Sequence, residues 1–182
     1  PRSGLRATWI GHASTLIEID GRRVLTDPIW SERCSPVSFL GPKRFHPPPI
    51  PLAELPSIDA AVISHDHFDH LDMPTVTALA ARGTMLVVPL GIGAHLESWG
   101  VPAALFVELD WWESQVIAGL TFTSTPSRHY SGRFPGRGNS TLWTSWAVVG
   151  PQHRVFFSGD TGYAPTFADI GARLGPFDLT IV

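Results

Sequence analysis

The chain has 182 residues, 43% of them hydrophobic, and sets 13 Lys and Arg against 16 Asp and Glu for a formal net charge of −3. That length suits one core and a single domain over residues 1–182. The balanced charge, with no basic cluster to track a phosphate backbone, argues against nucleic acid as a partner. One cysteine, Cys34, excludes an intrachain disulfide and suits a reducing compartment, and no apolar run approaches the ~18 residues of a membrane span. The expected location is therefore cytoplasmic or peripheral to a membrane.

In chain order, Leu5 to Ile10, Ser14 to Ile19 and Arg23 to Thr26 read as strands, the latter two joined by the hairpin signal Asp20-Gly21. His12 follows the first strand in a Gly-His-Ala turn, where it can sit beside a site or cap a loop. Asp27 ends the third strand and can either orient a ligand histidine through its second nitrogen or form a structural turn. Residues 28–56 make a loop rich in proline and carrying Trp30, Phe39, Leu40 and Phe45. A loop of that length is uncommon without a role; it either walls a substrate cleft or is pinned by its own aromatics.

Behind the apolar run Ala60 to Ile63 comes Ser-His-Asp-His-Phe-Asp-His-Leu-Asp, residues 64–72, which holds three of the chain's eight histidines. Such clustering of imidazoles and carboxylates is the composition of a metal site. An extended backbone sends His65 and His67 to one side and Asp66 to the other, and a turn can swing Asp69 and His70 toward a second point nearby. Two adjacent metals are thus expected from one loop. Asp72 to Gly83 bounds a helix over Met73 to Arg82. Strand, helix and strand follow at Thr84–Val88, Gly91–Trp99 and Leu105–Leu109.

Leu120 to Thr125 alternates as a half-buried strand, breaks at Pro126 and delivers His129 in the next loop. Arg133, four residues on, is either a contact for a substrate phosphate or an ordinary exposed loop residue. Strands at Leu142–Val149 and Arg154–Phe157 come next, the second running into Ser-Gly-Asp-Thr-Gly, whose glycines leave the Asp160 carboxylate free to bridge two ions. A helix over residues 165–174 and a last strand from Asp178 complete an α/β pattern. Ser64, Ser158 and Cys34 lack the adjacent base that a covalent nucleophile needs, and His46, His95 and His153 read as surface or structural.

The pattern His65-x-His67-x-Asp69-His70, then His129, then Asp160 resembles the metallo-β-lactamase superfamily. The runs at residues 9–13, 25–30, 41–45, 88–91, 108–113, 142–146, 159–163 and 175–179 are similar to the N-acylphosphatidylethanolamine-hydrolysing phospholipase D family. That resemblance implies a four-layer αββα sandwich, incomplete at its C-terminal end, because family members continue past residue 182 and supply later histidines. It implies two divalent ions, zinc favoured, one on His65, His67 and His129 and the other on Asp69 and His70, with Asp160 bridging and Asp69 and Asp160 the catalytic carboxylates. With no His after His153, either the chain is a fragment or its second position is open. The implied activity is a phospholipase D-type hydrolysis, by metal-held hydroxide, that releases N-acylethanolamine from N-acylphosphatidylethanolamine or cleaves a related phosphodiester, with peripheral membrane contact. A lactonase or other hydrolase with the same binuclear centre is the first alternative, and a non-catalytic metal-binding remnant the second.

Overall fold

The computed structural model describes residues 4–133, 136 and 138–182. Strands β1 (Leu5–Gly11), β2 (Ser14–Ile19) and β3 (Arg22–Thr26) form an antiparallel meander. At its second turn Asp20 and Gly21 have φ of 48° and 80°, the positive values that a two-residue hairpin requires. The chain then continues through β4 (Ala60–Val62), helix α1 (Met73–Ala81), β5 (Met85–Pro89), helix α2 (Ile92–Ser98) and β6 (Phe106–Leu109), extending the sheet in parallel from β3. A second sheet comprises β7 (Ser114–Ile117), β8 (Leu120–Thr125), β9 (Ser145–Val149) and β10 (Arg154–Phe157), all antiparallel. After helix α3 (Thr166–Leu174), β11 (Leu179–Ile181) joins β10 in parallel.

Period-two alternation divides the apolar residues between two cores. Ile17, Ile19, Val24, Ala60, Val62 and Val87 face the second sheet, where they meet Leu120, Phe122, Trp146, Val148, Val155 and Phe157. Their neighbours Leu16, Leu25, Ala61, Ile63, Leu86 and Val88 face the other way, against Val76 and Leu79 of α1 and Ile92 and Leu96 of α2. On the far side of the second sheet Phe156 packs edge-on against Phe167 of α3. The layers therefore run helix, sheet, sheet, helix. Trp146 fixes the two sheets to each other, donating from Nε1 to the Ile63 carbonyl at 2.8 Å one residue before the histidine-rich loop.

The elements fall within a few residues of their expected bounds, with three differences. Strand β7 has no sequence signal, because Ser114, Gln115 and Val116 lie exposed on a sheet edge and carry no apolar alternation. Residues 142–144 do not extend β9; Leu142 and Thr144 donate their N–H groups to Leu90 and Ser64 carbonyls and so tie loops together. Asp72 stands at the N-cap of α1 without capping it. Its carboxylate instead accepts from Trp30 N–H, Ser31 N–H, Ser31 Oγ and Thr75 Oγ1, anchoring the start of the long loop.

Candidate metal centre

Three loops at one end of the sandwich, after β4, β8 and β10, bring the site together. His65 Nε2 lies 2.8 Å from His67 Nδ1, and His129 Nε2 lies 3.3 Å from the same atom. Asp160 spans two groups of side chains, with Oδ2 3.9 Å from His129 Nε2 and Oδ1 3.4 Å from His70 Nε2. Asp69 Oδ2 is 3.6 Å from His70 Nε2 and 3.0 Å from His12 Nε2. Among the described residues, the potential ligand atoms form three overlapping groups, each within 4.8 Å: His65, His67 and His129; His65, His70 and Asp160; His12, Asp69 and His70.

These side chains fit divalent cations. Ligands at ~2.0–2.2 Å from a tetrahedral ion sit about 3.3–3.6 Å apart, close to the separations seen. His70 Nε2 adds a second argument, being buried among the described residues with no hydrogen-bond partner. A buried polar atom left unpaired is costly, and an ion at that point would satisfy it.

Below the ligands lies Asp27, fully buried and held at a positive φ of 32°. Its Oδ1 accepts the Ser64 N–H at 2.7 Å, and its Oδ2 accepts Ser64 Oγ–H at 2.6 Å and His70 Nδ1–H at 2.7 Å. Because Ser64 spends its one hydroxyl proton on Asp27, it can only accept from His65 Nδ1, 2.9 Å away. Both His65 and His70 are thereby protonated at Nδ1, which leaves Nε2 as the nitrogen that would face an ion, the ion taking the place of any proton there. The sequence pattern anticipated an orienting role as one reading of Asp27; it gave Ser64 none, since a serine before a histidine carries no signal of such a relay.

Electrostatics follow the packing. Burial, followed by His70, His67 and His129 nearby, pushes His65 down to about 2. For His70 burial acts in the same direction, but the Asp160 and Asp27 carboxylates outweigh it and push the ring up to about 10. His12 holds the Asp69 carboxyl well below the usual carboxylate range, and His70 does the same for Asp160, at about 2. Burial, then Asp69 and Asp72, push the Cys34 thiol up, so it remains protonated and poorly nucleophilic.

A cleft of about 850 Å³ opens beside these residues, its walls shared by His12, His67 and Asp69 and by Ile29, Pro42 and Phe45 of the long loop. That loop therefore flanks the site, although Lys43 and Arg44 join its apolar side chains in the wall. Arg133 is neither an exposed loop residue nor directed at the ligand cluster. Its Nη1 donates to the Asp66 and Leu71 carbonyls, and its guanidinium stacks 4.0 Å over Phe68. Asp66 is turned away from the ligands, as alternation requires, and His46, His95 and His153 are engaged outside the cluster with Trp9, Trp99 and Asp20.

A beta-lactamase superfamily domain model matches residues 22–182. Rv0906 of Mycobacterium tuberculosis is 59% identical over 99% of this chain and 48% of its own length. N-acyl-phosphatidylethanolamine-hydrolyzing phospholipase D 1 of Caenorhabditis elegans is 43% identical over 99% of this chain and 53% of its own length. The chain thus spans about half the length of these relatives. Among solved structures, the metallo hydrolase Igni18 of Ignicoccus hospitalis superposes with a TM-score of 0.70 at 20% identity, over 93% of this chain and 66% of that one. The diiron β-hydroxylase CmlA of Streptomyces venezuelae gives 0.71 at 24%, over 97% and 34%. These two show the shared fold, which by itself does not choose a reaction. With the family model covering most of its length and the ligand pattern assembled in space, the chain belongs to the metallo-β-lactamase superfamily and resembles the N-acylphosphatidylethanolamine-hydrolysing phospholipases D.

Proposed function

We propose that this chain carries the catalytic centre of a phospholipase D-type phosphodiesterase acting on N-acylphosphatidylethanolamine or a related lipid phosphodiester. The observation that carries this reading is the shared wall of the 850 Å³ cleft, where the ligand cluster meets the apolar side chains Ile29, Pro42, Phe45 and Phe68. An amphiphile laid in it reaches the cluster with its phosphate while its chains lie against carbon. The 43% identity to the nematode phospholipase supports the same substrate class.

In this reading His65, His67 and His129 would hold one ion, Asp69 and His70 the other, and Asp160 would contribute to both. Two zinc ions supply Lewis acidity when bound, lowering the pKa of water toward neutrality and drawing charge from a phosphoryl oxygen. The chain's own residues do the rest. Asp27 keeps the lone pairs of His65 and His70 pointed at the cluster, and His12 keeps Asp69 ionised and oriented. Lys43 and Arg44 place positive charge in the cleft wall. Peripheral membrane contact fits the exposure of Phe39, Leu40 and Phe45 on the flanking loop, and no helix among the described residues is long and apolar enough to cross a membrane.

The test is turnover of a mixed-micelle N-acylphosphatidylethanolamine substrate against a panel of lactones. Phosphodiester cleavage that is lost with chelator, nearly abolished by Asp160→Ala and retained by Cys34→Ala is the expected result. Lactone turnover without phosphodiester turnover would replace this reading with the lactonase alternative.

A further inference from the structure

Asp66 and Arg133 lie outside the ligand set, yet they connect two of the loops that supply it. Arg133 Nη1 donates at 2.8 Å to the carbonyl of Asp66 and at 2.8 Å to that of Leu71. Those carbonyls bracket residues 67–70, the turn that carries His67, Asp69 and His70. One guanidinium nitrogen thus spends both its hydrogens pinching together the two ends of the ligand-bearing turn. The rest of the guanidinium is sandwiched, 4.0 Å over Phe68 within the turn and 5.3 Å over Trp99 beyond the end of α2. In the reverse direction the Asp66 carboxylate, almost wholly buried, accepts the N–H of Gly132 at 2.6 Å. That bond joins the turn to the segment 129–133, which begins with His129.

The same segment is fastened on its other flank. Arg128 donates its N–H to Thr161 Oγ1 at 2.9 Å and accepts the Gly162 N–H at 2.9 Å, next to Asp160. His129 therefore sits between a tie to the Asp160 loop and a tie to the histidine-rich turn.

We infer that Arg133 and Asp66 are positioning residues of the metal centre: Arg133 sets the shape of the turn that feeds both ion positions, and Asp66 sets the distance of His129 from His65 and His67. This rests on the reading of the cluster as a two-ion centre. It separates the two residues by consequence. Loss of the Arg133 donors disturbs His67, Asp69 and His70, hence both positions. Loss of the Asp66 acceptor frees Gly132 and disturbs His129, hence the first position alone.

Cobalt(II) titration of the metal-free chain, read by visible absorption and by chelator competition, tests this without reference to turnover. Arg133→Met keeps the carbon stem against Phe68 and Trp99 but removes the donors; Arg133→Lys keeps charge and a donor. Asp66→Ala removes the acceptor of Gly132, and Asp66→Asn keeps one. Removing a partner that orients ligands weakens metal binding by ~10–100-fold. A loss of that size is expected in both positions for Arg133→Met and in the first for Asp66→Ala, with an altered cobalt spectrum and substantial recovery in Arg133→Lys and Asp66→Asn. If Arg133→Met does not fold, Asp66→Ala and Arg133→Lys decide the matter. Wild-type affinities and spectra in the folded variants, even with a lower unfolding midpoint, would overturn the inference. A wild-type chain that binds no cobalt at the cluster would instead overturn the two-ion reading on which it rests.

Discussion

Asp27 Oδ2 and His70 Nδ1 meet at 2.7 Å with both side chains sealed from solvent. Through Ser64 the same carboxylate also reaches His65, so one buried acid sets the Nδ1 protonation of two candidate ligand histidines that between them enter all three overlapping groups. The end of β3 thus governs lone pairs delivered by the loop after β4, a relation imposed by the parallel pairing of those two strands.

Asp27→Asn tests that relation. The amide keeps the shape but places an N–H₂ where only an acceptor serves, against either the Ser64 N–H or both Ser64 Oγ–H and His70 Nδ1–H. Metal affinity should fall by ~10–100-fold, the range for partners that orient ligands, as measured by competition with a chromophoric chelator. Ser64→Ala should weaken the His65 side only.

At Gly159 the Asp160 loop passes close against Ser64 of the histidine-rich loop. The glycine's φ is 56°, and a Cβ there would lie 2.4 Å from Ser64 Cβ. Gly159→Ala carries a left-handed backbone cost of about 1–2 kcal/mol and forces the loops apart. A lowered urea midpoint together with weaker metal binding is expected; a loss of stability alone would show that the loops can part without moving Asp160.

At the other end of the sandwich, Asp20 in the β2–β3 turn accepts from Gln152 and His153 N–H groups and pairs with the His153 ring, latching the first sheet to the second. Burial raises the Asp20 carboxyl, but these hydrogen bonds outweigh it and hold it below the usual carboxylate value. A depressed folded-state pKa contributes stability that is present above the unfolded value and lost as pH falls through the folded one. The stability difference between wild type and Asp20→Asn should therefore be full near neutrality and shrink below about pH 4. Urea midpoints of the metal-free proteins from pH 3 to 7 check this.

Trp146→Phe leaves the buried Ile63 carbonyl without its donor. The expected cost is about 1–3 kcal/mol by equilibrium unfolding, with the fold retained because the six-membered ring still fills the space between the sheets.

Much of this architecture was legible in the chain because it rests on local pattern. Alternation placed β8, a short apolar run placed β10, the Asp-Gly turn placed the hairpin of β2 and β3, and the histidine spacing located the candidate ligand cluster. The missed features depend on partners distant in sequence. β7 is an edge strand with exposed side chains, so nothing in Ser114 to Ile117 announces its pairing with β8. Asp72 looks like a helix cap, yet Trp30 and Ser31, some forty residues earlier, take its oxygens. Arg133 reads as a loop residue until Phe68 and Trp99 are seen to enclose it.

Anomalous diffraction at the zinc edge, from crystals of the chain grown with zinc, tests the central claim most directly. Two peaks ~3.5–4 Å apart are expected, one ~2.0–2.2 Å from His65 Nε2, His67 Nδ1 and His129 Nε2, the other beside Asp69 and His70, with Asp160 between them. A zinc-replete crystal with no peak at this cluster, or with its zinc elsewhere on the chain, would contradict it.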